Sequence, residues 1–203
     1  MLFFISLFLA VFSVSGVALG SVAPLEVKVK FVVFENSDAI PPVPSVHQVS
    51  KALRVMSKLW ARCGISFSLG SYEQIKPEAF GLSYHPKNHS DLRKIRKSFR
   101  QSSSALYVAT GRWDRAGDLG EDKSNAFSSV ADGGPDGVVF ENHVRPYLLA
   151  HEFGHLSGGL DDVSQEFNLM NHVVGVDTDQ LDSSQCQQVR AKLLSRFREW
   201  LRI

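Results

Sequence analysis

The chain has 203 residues, 44% apolar and 21% charged, with 22 Lys and Arg against 21 Asp and Glu for a net charge of +1. That length fits one compact domain, the composition excludes a disordered chain, and the near-zero charge argues against nucleic acid as a main partner. No repeat of about 20–50 residues runs along it, which excludes a solenoid or a propeller.

Residues 1–20, MLFFISLFLAVFSVSGVALG, carry no charged side chain. They read as a secretory signal whose apolar run ends in a small-residue site at Ala18-Leu19-Gly20, with cleavage before Ser21. The competing reading is an uncleaved anchor, since the stretch is nearly long enough to span a bilayer. The expectation is a secreted or periplasmic domain over 21–203, membrane-bound only if residues 1–20 are kept. An exported chain meets oxidising conditions. Its two cysteines, Cys63 and Cys186, are candidates for one disulfide closing a long loop; the alternative is two buried thiols.

Leu25–Phe34 (LEVKVKFVVF) alternates and then runs apolar, a strand signal. From Ser45 to Cys63, apolar residues at Val46, Val49, Leu53, Met56, Leu59, Trp60 and Cys63 keep the three-and-four spacing of an amphipathic helix. Gly64 ends it, and Ile65–Leu69 follows as a short strand. Residues 71–104 read as an insertion. Within it, DLRKIRKSFR (91–100) sets Leu92, Ile95 and Phe99 on one helical face and five cations around the rest. Such a basic helix suits a membrane or an acidic substrate, or is a solvated face.

Ala105–Ala109 is a third strand. The loop Gly111–Asn125 carries Asp114, Asp118, Glu121 and Asp122, a weak calcium candidate because calcium takes several oxygen ligands. Ala126–Val130 reads as an edge strand and Gly137–Phe140 as a short buried one. Pro146 suits the first turn of a helix. Asp182 and Gln185 resemble a capping box that opens a C-terminal helix with Val189, Leu193, Leu194, Phe197, Trp200 and Leu201 on one face. The order predicts an α/β (α+β) domain: a mixed twisted sheet packed on two long helices, plus a C-terminal helix.

The chemistry concentrates in AHEFGHLSGGLDD, residues 150–162. Positions i and i+4 stack on one helix face, so His151 and His155 can point at one metal ion. Glu152 sits beside the first histidine, placed to touch an activated water. This is the HExxH arrangement of two zinc ligands and a general base. A catalytic zinc takes three protein ligands and keeps one position open. Gly158 is expected to turn the chain in a left-handed conformation, which brings Asp161 back as third ligand, with Asp162 as the alternative. Unlike such a site, a structural zinc would be closed by four protein ligands.

HEFGHLSGGLD resembles the extended zinc motif of the metzincins, in which a glycine and then the third ligand follow the second histidine. Most metzincins have histidine at that third position; the aspartate makes this chain look more like variants such as snapalysin. The resemblance implies a zincin-like catalytic domain of minimal, matrixin-like size, one catalytic zinc, a protein or peptide substrate, and a monomer. It makes Met170, in Asn168-Leu169-Met170-Asn171, the methionine turn beneath the metal. His172 falls where some metzincins carry a tyrosine that assists the transition state. It is expected to stabilise an oxyanion, to be an extra ligand, or to be a surface residue. Arg62-Cys63-Gly64 is similar to the cysteine switch of matrixin propeptides, which would place a thiolate on the zinc. By the same analogy the edge strand 126–130 pairs with an extended substrate. The functional expectation is an exported zinc endopeptidase. Its rivals are a non-catalytic zinc-containing binding protein on the same scaffold and a zinc amidohydrolase acting on a non-peptide substrate.

Overall fold

The computed structural model describes residues 23–35, 43–116, 118–121, 124–132, 135–141 and 143–202. The expected signal segment 1–20 lies outside them, as do Asp122 and the side chain of Glu121.

Strand β1 (Leu25–Phe34) is the centre of a mixed sheet. Its neighbours are β2 (Ile65–Ile75) and β3 (Ala105–Thr110), both parallel to it. Beyond β3 come β5 (Val138–Glu141), parallel, and then the edge strand β4 (Ala126–Ser128), antiparallel to β5. The change in β1 from alternating to continuous apolar sequence has a direct cause: its second half is covered on both faces. Phe31 and Val33 enter one core, and Val32 and Phe34 the other.

The first core lies under α1 (Val46–Trp60) and α5 (Pro146–Phe153). Ser45 and Gln48 form a capping box at the start of α1, and Gly64, left-handed at φ 64°, ends the short 3-10 turn after it. The second core lies under α2 (His89–Phe99), which packs Leu92, Ile95 and Phe99 on the sheet. Two single turns, α3 (Asp118–Glu121) and α4 (Ser129–Asp132), flank β4.

Three expectations change. Strand β2 runs on to Ile75 rather than stopping at Leu69, so residues 71–75 belong to the sheet and α2 forms its second layer. Arg96, counted among the outward cations of α2, is buried, and its Nε donates to the Pro135 carbonyl at 3.0 Å. The C-terminal helix α6 (Ser183–Ser195) begins at the expected Asp182–Gln185 box but ends before Phe197. Trp200 closes a 3-10 turn, and Leu201 enters β6 (Leu201–Arg202), antiparallel to Val27 and Glu26 of β1. β3 pairs with β1 only from Val29 onward. The open backbone groups of residues 26–27 therefore draw the chain into the sheet, although its apolar spacing mimics a helix. Leu194 is left exposed.

Cys63 and Cys186 form a disulfide with Cα atoms 4.9 Å apart across 123 residues of sequence, tying the end of α1 to the first turn of α6. This removes the free-thiol and cysteine-switch readings of Cys63. Arg190 of α6 reinforces the link by donating to the carbonyls of Cys63, Gly64 and Ala23. Among the described residues no helix is long and apolar enough to cross a membrane.

Replacing both cysteines by serine is expected to lower the unfolding free energy by about 2–5 kcal/mol. Urea unfolding of the double variant beside the parent measures it; equal midpoints would show that the cross-link does not contribute.

Candidate metal centre

Helix α5 starts with Pro146 in its first turn, where no intrahelical N–H is needed. Two core side chains seat it on the sheet. Trp60 Nε1 donates to the Ala150 carbonyl at 3.1 Å, and the Tyr107 hydroxyl donates to the Leu149 carbonyl at 3.2 Å. After Phe153 the helix widens into a π-helical turn over Gly154–Gly158 and stops at Gly159, left-handed at φ 60°. The Gly159 amide bonds to the His155 carbonyl, the 5→1 bond of a left-handed helix stop, and the Leu160 amide bonds to the Gly154 carbonyl.

The turning residue is therefore Gly159, one position later than expected. Gly158 serves packing instead: a Cβ there would meet Val189 Cγ2 and Leu160. The shift carries through to the acids. Asp162, not Asp161, swings back to the histidines. Its Oδ1 lies 3.2 Å from His151 Nε2 and 3.4 Å from His155 Nε2. His151, His155 and Asp162 form the one group suited to a metal among the described residues, with ligand atoms within 4.8 Å of one another. Asp161 is exposed and outside it. A π turn holds one extra residue relative to an α-helix, which brings Asp162 rather than Asp161 to the histidines.

Both imidazoles are oriented by backbone. His151 Nδ1 donates to the Leu169 carbonyl at 2.8 Å and His155 Nδ1 to the Leu160 carbonyl at 2.6 Å. A carbonyl only accepts, so each Nδ1 carries the hydrogen and each neutral ring has a bare Nε2. The two Nε2 atoms are 2.9 Å apart. Two lone pairs and a carboxylate oxygen thus converge with no donor between them, an arrangement that repels itself unless a cation sits among them. The donor set, two nitrogens and one carboxylate oxygen, is the kind that zinc takes with an open fourth position. Burial, and then neighbouring His155, lower the His151 pKa, against the Leu169 carbonyl and Asp162.

Glu152 is buried beside this group. Burial, and then the charge of Asp162, push its carboxyl up to about 8, while a hydrogen bond from the Ser128 backbone pulls the other way. Tyr107 is raised well above the ordinary tyrosine range, by burial first and Glu152 second.

Met170 is fully buried under α5. A Cβ on Gly154 would run into its thioether, so the glycine lets the methionine sit directly beneath the helix. Asn168 holds the turn: its Oδ1 accepts from the Met170 amide at 2.8 Å, and its amide pairs with Gln185 of α6. His172 is exposed, outside the metal group, and borders a separate cavity. Of the acids considered for calcium, the two whose side chains are described are used locally: Asp114 accepts from the Ala116 amide and Asp118 from the His89 amide. Sequence reasoning missed the carbonyls of Leu160 and Leu169 and the Ser128 amide, since a backbone group carries no residue signal. Gln185 was visible only as a cap.

No protein-family model matches the chain, and no curated protein matches it. Among solved structures it resembles metalloproteinase-II from Bacteroides fragilis, with a TM-score of 0.54 and 14% sequence identity, over 85% of this chain and 55% of that one. The chain thus spans about half the length of that protein. The likeness is one of fold: this sheet-and-helix domain is built like a metalloproteinase.

Gly158→Ala must displace a β-branched neighbour and is expected to cost about 1–3 kcal/mol and to lower the melting temperature. Gly175→Ala, with open space around its Cβ, is the control and should melt with the parent. Equal melting of both variants would remove the packing role of Gly158.

Proposed function

We propose that the chain is an exported, zinc-dependent endopeptidase of the metzincin type, with His151, His155 and Asp162 holding the metal and Glu152 as general base. The observation that carries this reading is the convergence of two bare Nε2 atoms and the Asp162 carboxylate beside a buried glutamate. The metalloproteinase fold supports it. The disulfide supports an oxidising compartment.

Zinc, when bound, polarises the scissile carbonyl and acidifies a water. The protein moves the protons. Glu152 takes one from the water as its oxygen bonds to the carbonyl carbon, then delivers it to the departing amine as the C–N bond breaks. The Ser128 backbone hydrogen bond steadies that carboxylate. The peptide is presented by edge strand β4. Residues 125 and 129 bond inward to β5, so by alternation the backbone groups of Ala126 and Ser128 face away from it, the Ser128 amide toward Glu152 and those of Ala126 toward the edge. The Ser124 hydroxyl now holds both groups of Ala126, donating to its carbonyl at 2.6 Å and accepting from its amide at 3.3 Å. A substrate strand takes its place.

Two measurements test this together. In zinc titrations, Asp162→Asn is expected to weaken binding by about 100-fold or more, beyond the 10–100-fold of a lost outer partner, while Asp161→Asn binds as the parent does. With casein as substrate, Glu152→Gln is expected to keep zinc and lose about 10²–10⁴-fold in kcat. A zinc-loaded parent that cuts no peptide bond would overturn the peptidase reading; equal zinc affinity for the two asparagine variants would overturn the ligand assignment.

A further inference from the structure

Charge is spread unevenly over the chain. Residues 76–100 hold seven Lys and Arg against two acids, Glu78 and Asp91, a net +5, while all other residues together carry −4. Most of the excess is on α2 and its C-cap. Arg93, Lys94, Lys97 and Arg100 are exposed there. Arg93, Lys97 and Arg100 follow one another at four and three residues, which sets them in one stripe along the helix. Lys94 pairs with Asp91 at 3.6 Å, whereas the three cations of the stripe form no ion pair among the described residues.

Placement gives this charge a direction. α2 covers the second core on one face of the sheet, and α5 with its histidines covers the first core on the other. One side of the domain is thus a cationic layer, and the candidate metal group belongs to the opposite side. An anionic surface orients a molecule so divided, basic layer inward. The basic layer also shows an aromatic ring. Phe80, which ends the 3-10 turn Pro77–Phe80, is 52% exposed and meets Phe99 of α2 edge-on, with ring centroids 5.2 Å apart. Phe99 precedes Arg100, so this ring stands at the C-terminal end of the stripe. Leu92, Ile95 and Phe99 are committed to the core, so α2 lies flat on whatever it meets and only Phe80 enters it. A soluble polyanion offers no apolar phase for that ring; a bilayer has one just below its headgroups.

We propose that the α2 layer docks on an anionic phospholipid bilayer, with Arg93, Lys97 and Arg100 at the lipid phosphates and Phe80 at the headgroup–acyl boundary, and that docking turns the candidate metal group away from the membrane. The surface is separate from residues 1–20 and from any activity at the histidines.

Cosedimentation with vesicles reads the docking without a substrate. The protein purified after export is mixed with vesicles of phosphatidylcholine, alone or with about 30% phosphatidylglycerol, in salt from about 0.1 M to about 1 M, over which the Debye length falls from about 10 to about 3 Å. The expected result is binding to the anionic vesicles at low salt, at least about tenfold weaker on the neutral ones and lost at high salt. Reversing two cations of the stripe, Arg93→Glu with Lys97→Glu, should weaken it at least about tenfold. Lys51→Glu with Arg54→Glu makes the same charge change on exposed residues of α1, across the sheet, and should leave binding near that of the parent. Phe80→Ser should weaken binding about threefold or more. Melting temperatures should match the parent; if the α2 reversal does not fold, Arg93→Gln with Lys97→Gln takes its place. Equal binding to neutral and anionic vesicles, no binding to either, or equal losses in the α1 and α2 variants would each overturn the proposal. Capture on heparin without binding to vesicles, or Phe80→Ser binding as tightly as the parent, would also overturn it, because the partner would then be a soluble polyanion rather than a bilayer.

Discussion

Two hydrogen bonds from imidazole to backbone, His151 to the Leu169 carbonyl and His155 to the Leu160 carbonyl, hold the centre together. Each fixes a ring, its tautomer and its facing nitrogen. Each also fastens the chain that leaves the helix back onto it. The Leu160 bond closes the loop that delivers Asp162, and the Leu169 bond closes the loop that seats Met170. Without them the two histidines would share a helix face but not a focus.

The rest of the fold makes those bonds possible. Helix α5 is short, eight residues before its π turn, too short to be stable alone. Trp60 from α1 and Tyr107 from β3 each spend a polar group on its carbonyls. From behind, α6 supplies Val189 against Gly158, Gln188 Nε2 to the Gly158 carbonyl at 3.0 Å, and Gln185 to Asn168. The histidine cluster is thus braced by α1 and the sheet on one side and by the C-terminal helix on the other, and Ser128 of β4 reaches the neighbouring Glu152.

Much of this was legible in the residues. The strands at 25–34 and 105–109, the Asp182–Gln185 capping box and the His151–Glu152–His155 cluster follow from periodicity and spacing, which are local properties. Of the two acids that the sequence offers, the second, Asp162, lies against the histidines, because spacing arguments assume α-helical geometry to the end of the motif. Gly158, expected to turn, is instead packed against Val189 of α6, and Gly159 makes the turn. The end of α6 was misread for a similar reason. Phe197, Trp200 and Leu201 keep helical intervals, but unpaired backbone on β1 claims them. Arg96 looked like one of a run of surface cations, yet the Pro135 carbonyl waits for it beneath the helix. Each miss comes from a partner distant in sequence.

The disulfide joins the first turn of α6 to the end of α1, and α6 in turn presses on the glycine turn that presents Asp162. Bond chemistry far from the histidines is therefore part of their geometry. With Cys63 and Cys186 as thiols, the brace behind the turn would rest on side-chain packing and on the hydrogen bonds of Gln185, Gln188 and Arg190, with no covalent tie. Reducing that bond would therefore leave the turn that brings Asp162 to the histidines less firmly backed, although the bond itself lies outside their cluster.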